Sequence, residues 1–176
     1  MSGRGNAWMN ANPSRRRAGL KGPRAAEVLQ QLGFSVPARP NSWLPLRRSE
    51  RDDSANVIGR LGNTEFFVEE DGDAPGIAAL EALQAAGAYP VLREDFSLVL
   101  GGPRVHDVLA QVCNVNLAAL PRPKTVVMTL MIGVSVLVLP QNTDDGPVYR
   151  IWCDPSFGSY LWAELEQIVQ KIPGRA

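Results

Sequence analysis

The sequence contains few of the residues that build most catalytic and metal centres. It has one histidine, His106, and two cysteines, Cys113 and Cys153, which lie forty residues apart without a CxxC or zinc-ligand spacing. This cysteine usage argues against a disulfide framework and is typical of a reducing compartment. A catalytic triad or a metal centre would have to be built around His106, with Cys113 or Asp107 as a helper. Because His106 is predicted near the start of a helix, we interpret it as a surface or capping residue.

Nucleotide-binding motifs are missing as well. The sequence has no GK[ST] element, and its two glycine turns between a strand and a helix, Gly22-Pro23 and Gly101-Gly102-Pro103, do not continue as GxGxxG. Phosphate sites at helix N-termini need glycines that let the backbone approach the ligand. We interpret both segments as tight turns between a strand and a helix.

The remaining chemically active side chains are explained by structural roles. No basic residue lies beside Cys153 to lower the pKa of its thiol, so we expect a small buried side chain. The acidic pairs Glu69-Glu70 and Asp144-Asp145 are predicted to fall in turns, as solvated charges. We therefore predict no catalytic, no cofactor-binding and no metal-binding residue on this chain.

No apolar segment is long enough to cross a membrane. The most apolar run, residues 126–139, has fourteen residues and is rich in β-branched side chains, so we interpret it as paired strands. The basic N-terminus is not followed by an apolar run, which argues against a secretory signal. We expect a cytoplasmic protein with no membrane partner.

The charges are unevenly distributed, although the formal net charge is zero. Residues 1–60 hold eleven of the eighteen basic residues and four of the eighteen acidic ones, so they carry about +7 and the remainder about −7. Residues 1–17 are rich in Asn, Ser, Gly and Arg and lack periodicity, which predicts a basic arm that is flexible until it binds a partner. We expect Arg15, Arg16 and Arg17 to contact that partner.

The most informative feature is an internal repeat with an offset of eighty residues. Gly-Pro-Arg occurs at 22–24 and again at 102–104, and each copy is followed at matching positions by an acidic residue, Val-Leu and a glutamine. A strand-like segment, 18–20 or 96–100, precedes each copy. The glycine ends the strand, the proline is expected in the first helical turn, and the acidic residue lies near the positive helix end.

The elements that follow the two motifs also match in type. The predicted segments are strands at 43–46, 57–61, 64–69, 125–132, 134–139 and 148–152, and helices at 76–86 and 157–171. We predict an α+β fold of two duplicated strand-helix-strand-strand-helix halves, with an antiparallel-rich sheet layered by helices. The halves span residues 18–90 and 91–173 and are expected to form one compact unit.

Four aromatic residues lie within eleven positions near the C-terminus: Trp152, Phe157, Tyr160 and Trp162. The apolar face of the closing helix is formed by leucine and isoleucine side chains, and Tyr160 and Trp162 do not both share that face. Aromatic side chains outside a core are enriched at partner contacts, but they also cover sheet edges. We predict that Tyr160 and Trp162 contribute to a partner contact.

The segment that runs from Ser156 to Leu165 resembles a known family. Its pattern Ser-Phe-x-x-Tyr-Leu-Trp-x-x-Leu is similar to the C-terminal motif of the gamma subunit of heterotetrameric sarcosine oxidase, and Leu100-x-Gly102-Pro103 resembles that family's strand-to-helix turn. Pro155 and the basic N-terminal arm depart from the family pattern. The resemblance implies a fold like the tetrahydrofolate-binding domain of aminomethyltransferases.

The same resemblance implies a role in an oxidoreductase complex. In that family the alpha and beta subunits carry the FAD, FMN, NAD and tetrahydrofolate sites, a small delta subunit binds zinc, and the gamma subunit has no known catalytic residue. The sequence therefore suggests an accessory gamma subunit of a flavoenzyme that demethylates sarcosine or a related N-methyl amino acid, with alpha, beta and delta partners and no cofactor of its own.

Two other functions stay open from the residues. A stand-alone tetrahydrofolate-binding or one-carbon-transfer protein of the same fold would need an acidic residue to bind the pterin, and no acidic residue stands out for that role. A nucleic-acid-associated module could use the basic residues 1–60, but these lack the interleaved aromatic residues of base-stacking modules. We expect no nucleic-acid partner.

Overall fold

A computed structural model describes residues 7–12, 14–46 and 56–172 of the chain. The described residues divide into two compact units. The first unit comprises the described residues of Ser14–Glu94, and the second comprises those of Asp95–Ala176 together with 7–12. The boundary between 90 and 91 and the single compact unit stay predictions, and residues 7–12 belong to the second unit.

The first unit contains five strands and two helices. They are β2 (Arg16–Lys21), α1 (Ala25–Gln31), β3 (Ser42–Pro45), β4 (Val57–Arg60), β5 (Glu65–Glu70), α2 (Pro75–Glu81) and β6 (Tyr89–Leu92). The strands form one antiparallel sheet in the order β3-β4-β5-β2-β6. Helix α2 ends at Glu81, five residues before the predicted end, and Ala85 instead forms a bridge with Ala88.

The second unit repeats this arrangement. Its elements are β1 (Trp8–Ala11), β7 (Phe96–Gly101), α3 (Val105–Val112), a 3-10 turn (Leu117–Ala119), β8 (Val127–Met131), β9 (Val134–Thr143), β10 (Gly146–Cys153), a 3-10 turn (Pro155–Phe157) and α4 (Gly158–Lys171). Its strands form a second antiparallel sheet in the order β1-β7-β10-β9-β8. The α+β class and the duplication are as predicted, but each half has its own five-stranded sheet.

Each repeat begins one strand earlier than predicted, and this first strand pairs in the sheet of the other repeat. With the offset of eighty residues, β1 corresponds to β6, and β2 corresponds to β7. Strand β1 pairs with β7 rather than with its neighbour β2, and β6 pairs with β2 rather than with β7. The two halves have therefore exchanged their first strands.

This exchange corrects the prediction of a flexible arm over residues 1–17. Residues 8–11 form β1, whose Trp8 lies opposite Gly101 in the ladder, and 16–17 begin β2. Strand β1 has four residues, which are too few to give a detectable alternation of apolar and polar side chains. Its pairing partner also lies far away in the sequence. Residues 1–6 and 13 of the predicted arm lie outside the described residues.

The strand-to-helix turns follow the repeat motif. Gly22 and Gly102 have φ angles of 127° and 108°, in the region that side chains rarely adopt, so glycine is required there. The prolines lie in the turn and not in the first helical turn as predicted, because the helices begin two residues later. Arg24 and Arg104 precede those helices and pair with Glu27 and Asp107 in the first turn.

Each unit buries the apolar face of its helices against its own sheet. In the first unit, α1 contributes Val28 and Leu29, and α2 contributes Ile77 and Leu80. In the second unit, the predicted apolar face of α4 buries Leu161 and Leu165 completely, and α3 buries Val105, Val108, Leu109 and Val112. Burial of one such leucine contributes about 2 kcal/mol. Within residues 7–12, 14–46 and 56–172, no helix has the length and apolarity to cross a membrane.

Candidate functional site

A buried group of charges occupies the end of β5 in the first unit. The Glu69 carboxylate accepts hydrogen bonds from Nε of Arg15 and Nε of Arg17, each at 2.9 Å. Glu69 is completely buried, and the side chains of both arginines are 7% exposed. Side chains two positions apart along an extended chain point to the same face, so Arg15 and Arg17 share one face. The antiparallel pairing of β2 with β5 places Arg17 opposite Glu69.

The group continues towards the surface through Arg15. Its Nη1 donates to Oδ2 of Asp71 at 2.9 Å, and its Nη2 donates to Oδ1 of Asn56 at 2.7 Å. The same Asn56 oxygen accepts the backbone N–H of Asp71 at 3.0 Å. All three nitrogen atoms of the Arg15 guanidinium thus donate to an acceptor, as burial of this group requires.

These contacts correct two predictions. Arg15 and Arg17 are buried, so they are not available to contact a partner as predicted. Arg16 points to the opposite side of β2, is exposed, and pairs with Glu81 at 2.6 Å. The Glu69-Glu70 pair is not a solvated turn, because both residues lie within β5 and are at most 1% exposed.

Glu70 lines a cavity of about 400 Å³ in the first unit. Its Oε2 accepts the backbone N–H of Ile77 at 2.9 Å, which fixes the carboxylate at the start of α2. The other walls include Leu32, Phe34 and Gly76. A Cβ on Gly76 would lie 2.8 Å from the Phe34 ring and 2.9 Å from Glu70, so only glycine fits between them. The cavity thus combines apolar side chains with backbone and one acidic group, and sequence reasoning missed it.

A second cleft lies between α3 and the segment that follows it and has a volume of about 410 Å³; we call it the α3 cleft. Its floor consists of the buried residues Leu109, Cys113 and Leu117, and its exposed rim includes His106, Asn114 and Asn116. The α3 cleft therefore has a mostly apolar floor and a neutral polar rim, which is suited to an apolar side chain or a small apolar ligand.

His106 lies at one end of the α3 cleft, as an exposed residue of the first helical turn. Its Nε2 is 2.7 Å from the hydroxyl oxygen of Tyr149, a buried residue of β10, and the two rings meet edge to face. Burial raises the pKa of the Tyr149 hydroxyl, which favours its neutral form. The pair joins α3 to the sheet. His106 lies on the surface, which is one of the two predicted positions, and no side chain of the described residues caps α3.

The Cys153 thiol is not set up as a nucleophile. Burial, together with the nearby negative charges of Asp154 and Asp95, raises the pKa of the Cys153 thiol from 9.0 to about 11. A nucleophilic cysteine needs the opposite shift. Across the described part of the chain, no three His, Cys, Asp or Glu residues are grouped closely enough to hold a metal ion.

The C-terminal motif begins with a local cap. The Asp154 carboxylate accepts hydrogen bonds from the backbone N–H of Ser156 at 2.9 Å and from its hydroxyl at 2.6 Å, which lower the pKa of Asp154. Asp154 thereby begins the 3-10 turn that leads into α4. Helix α4 starts at Gly158. A Cβ at this position would lie 2.6 Å from the ring of Phe96, so only glycine fits there.

The aromatic residues of this motif differ in exposure. Phe157 is 51% exposed and Tyr160 is 46% exposed, and the Tyr160 hydroxyl donates to the backbone oxygen of Ile132 at 3.4 Å. Trp162 is half-buried and packs against the core, and Trp152 is buried. Tyr160 is therefore available to a partner, whereas most of Trp162 is not. Partner contact at Arg16, Tyr160 and Trp162 stays a prediction.

The comparisons with known proteins concern the fold. No protein-family model matches this sequence, and no curated protein matches it in sequence. A chain of the heterotetrameric sarcosine oxidase from Corynebacterium sp. U-96, solved in complex with pyrrole 2-carboxylate, matches with a TM-score of 0.77 and 17% identity. The match covers 97% of this chain and 87% of that chain.

A second solved structure matches over a shorter part of its own length. The glycine cleavage system aminomethyltransferase T from Bartonella henselae has a TM-score of 0.66 and 19% identity, over 92% of this chain and 46% of that chain. This chain shares its fold with both proteins. The fold class expected from the C-terminal motif and the repeat is confirmed.

Proposed function

We propose that this chain is a non-catalytic accessory subunit, of the gamma type, in a heterotetrameric flavoenzyme that oxidatively demethylates sarcosine or a related N-methyl amino acid. The observation that carries the proposal is the fold match along nearly the whole of both chains. It spans 97% of this chain and 87% of a chain of a heterotetrameric sarcosine oxidase. The aminomethyltransferase, in contrast, is matched over 46% of its length.

The side chains are consistent with this role. The buried charges of the first unit are engaged with one another, and the raised pKa of the Cys153 thiol opposes a nucleophilic function. In the proposed complex, the alpha and beta subunits would hold FAD, FMN, NAD and tetrahydrofolate, and the delta subunit would bind zinc. The chain would then act in the cytoplasm by assembling with those subunits.

Copurification tests the proposal. The tagged chain is isolated from its native cells under mild salt, and the bound flavin is measured by absorbance against the amount of chain. We expect a yellow complex with two large subunits and one small one, and sarcosine or a related N-methyl amine should reduce its flavin. A colourless single chain would contradict the proposal.

One observation favours a second candidate, a protein that binds tetrahydrofolate by itself. Glu70 places a carboxylate in the wall of the 400 Å³ cavity, where it could accept N–H groups of a pterin. Calorimetric titration with tetrahydrofolate should then show binding that Glu70→Gln weakens at least ~10-fold, since a charged hydrogen-bond acceptor is lost. If the titration of the wild-type chain shows no heat of binding, the chain does not bind tetrahydrofolate by itself and this candidate function is excluded.

A further inference from the structure

Strand β8 presents an apolar surface at the edge of the second sheet. It is the last strand in the order β1-β7-β10-β9-β8, and its alternating side chains Met128 and Leu130 are 59% and 57% exposed. Among residues 7–12, 14–46 and 56–172, only β9 pairs with it as a strand, apart from a single bridge between Cys113 and Met131. An edge strand of this kind is a template for pairing with another chain.

The α3 cleft adjoins this edge through Cys113. The residue bridges to Met131 at one end of β8, and its Sγ lies 3.9 Å from Oγ1 of Thr129 in the middle of the strand. The backbone N–H of Ile132 also donates to Val112 at the end of α3. The residue that forms part of the cleft floor is therefore the one that contacts the edge of β8.

The charge of this region differs from that of the rest of the second unit. Between Asp107 and Asp144 the sequence has no acidic residue, and its two charged residues are Arg122 and Lys124. Both are exposed and lie in the segment that leads into β8. The surface therefore combines an apolar strand with a positive flank, and its charge complement is an acidic, apolar segment.

We propose that β8 and the α3 cleft together form the docking surface for an extended segment of a partner subunit, which carries apolar anchor residues and an acidic flank. Pairing along the edge supplies backbone hydrogen bonds, and alternate side chains point to opposite faces. One set of the segment's side chains then covers Met128 and Leu130, and the alternate set enters the α3 cleft. The acidic flank pairs with Arg122 and Lys124. The inference rests on the proposed function, since the partner is a subunit of the same flavoenzyme.

The test uses the complex of the tagged chain with the flavoprotein subunits of its own source. The double variant Met128→Glu/Leu130→Glu places two carboxylates on the proposed surface. We expect at least ~10-fold less flavin to be retained per chain, because central apolar contacts dominate such interfaces. The matched control is Leu92→Glu on β6, the edge of the other sheet, where the leucine is 73% exposed. This control should retain flavin within about 2-fold of the wild type, because a surface substitution away from the contact changes little.

Two further variants examine the other parts of the surface. Ala110→Trp fills the α3 cleft from an exposed position, so it should reduce retention without disturbing the core. Arg122→Glu/Lys124→Glu should reduce retention at low salt and flatten its dependence on salt. These exposed positions keep the inference testable if the double variant unfolds, which circular dichroism would reveal.

The outcomes separate this inference from the proposed function. Normal retention of flavoprotein by Ala110→Trp and by the folded glutamate variants would overturn the docking surface and leave the proposed function standing. Absence of flavoprotein from the wild-type preparation would overturn both. A dimer of the isolated chain that the double variant converts to a monomer would assign the surface to a second copy and overturn the partner-subunit inference.

Discussion

Arg17 and Glu69 form a buried ion pair across two adjacent strands, with Nε of Arg17 2.9 Å from Oε2 of Glu69. The second oxygen of the same carboxylate receives Nε of Arg15 at the same distance. The two arginines are fixed in the sheet by their shared acid, so the charges that appeared suitable for a partner stabilise the first unit instead. Removal of the carboxylate or of the arginines would leave an uncompensated charge in the interior.

Glu69→Gln should therefore destabilise the chain strongly. Two buried guanidinium groups would lose the carboxylate that they share, and Arg15 would keep only the half-exposed Asp71 as a counter-ion. We expect a loss of about 3 kcal/mol in the free energy of unfolding. Glu81→Gln is the matched control, because its exposed pair with Arg16 is the same chemistry at the surface. It should cost less than about 0.5 kcal/mol. Chemical denaturation measures both, and equal losses would contradict the buried network.

Gly158→Ala should destabilise the start of α4, although alanine ordinarily stabilises a helix relative to glycine by up to about 1 kcal/mol. A Cβ at this position would lie 2.6 Å from the Phe96 ring, and the strain should cost about 1–3 kcal/mol. The neighbouring exposed substitution Ser159→Ala serves as the control and should stay within about 0.5 kcal/mol of the wild type. A stabilised Gly158→Ala variant would mean that α4 does not pack closely on Phe96.

Trp8→Ala tests the exchanged strand β1. The Trp8 ring lies over Gly101, where a Cβ would be 2.5 Å from it, so its removal uncovers Gly101 and weakens the packing of β1 on β7. We expect a loss of about 2 kcal/mol and faster hydrogen exchange of residues 96–101. Asn10→Ala, on an exposed position of the same strand, should leave the exchange unchanged. Unaltered protection in Trp8→Ala would contradict the pairing of β1 with β7.

The raised pKa of Cys153 predicts a pH dependence at the alkaline end. The folded thiol stays protonated up to about pH 11, whereas the unfolded thiol ionises near its ordinary value of 9.0. Between these values the unfolded chain binds fewer protons, so stability is unaffected below pH 9 and falls as the pH rises towards 11. Subtracting the curve of Cys153→Ala isolates this contribution in urea titrations. A difference curve that is flat across this range would contradict the burial of the thiol.

Much of the fold follows from local sequence signals. The Gly-Pro turn and the apolar face of the following helix lie within a dozen residues, so the β2-α1 and β7-α3 units could be predicted from the repeat. The turn at 62–63 and the closing helix could also be predicted from local signals. Each of these elements depends on a pattern within its own segment of the sequence.

The exchanged strands could not be predicted in the same way. Strands β1 and β6 have four residues each, and their partners β7 and β2 lie in the other half of the sequence. Proline at position 90 further obscures the strand pattern of β6. The choice between pairing with the adjacent strand and pairing across the repeats is made by tertiary packing.

The buried charges escaped sequence reasoning for a related reason. Glu69 and Glu70 look like a solvated pair because the residues that neutralise or fix them are distant or belong to the backbone. Arg17 precedes Glu69 by 52 positions, and the partner of Glu70 is the N–H of Ile77. The burial of an acidic residue can be predicted from the sequence only when its partner is known.

The measurement that tests the central claim most directly is the flavin content of the chain when it is purified from its native cells. The account predicts that the chain elutes at the size of a heterotetramer with bound flavin, and that an N-methyl amino acid bleaches the flavin absorbance. Elution as a colourless single chain, under mild salt and with folded protein, would contradict the claim that the chain is a subunit of a flavoenzyme.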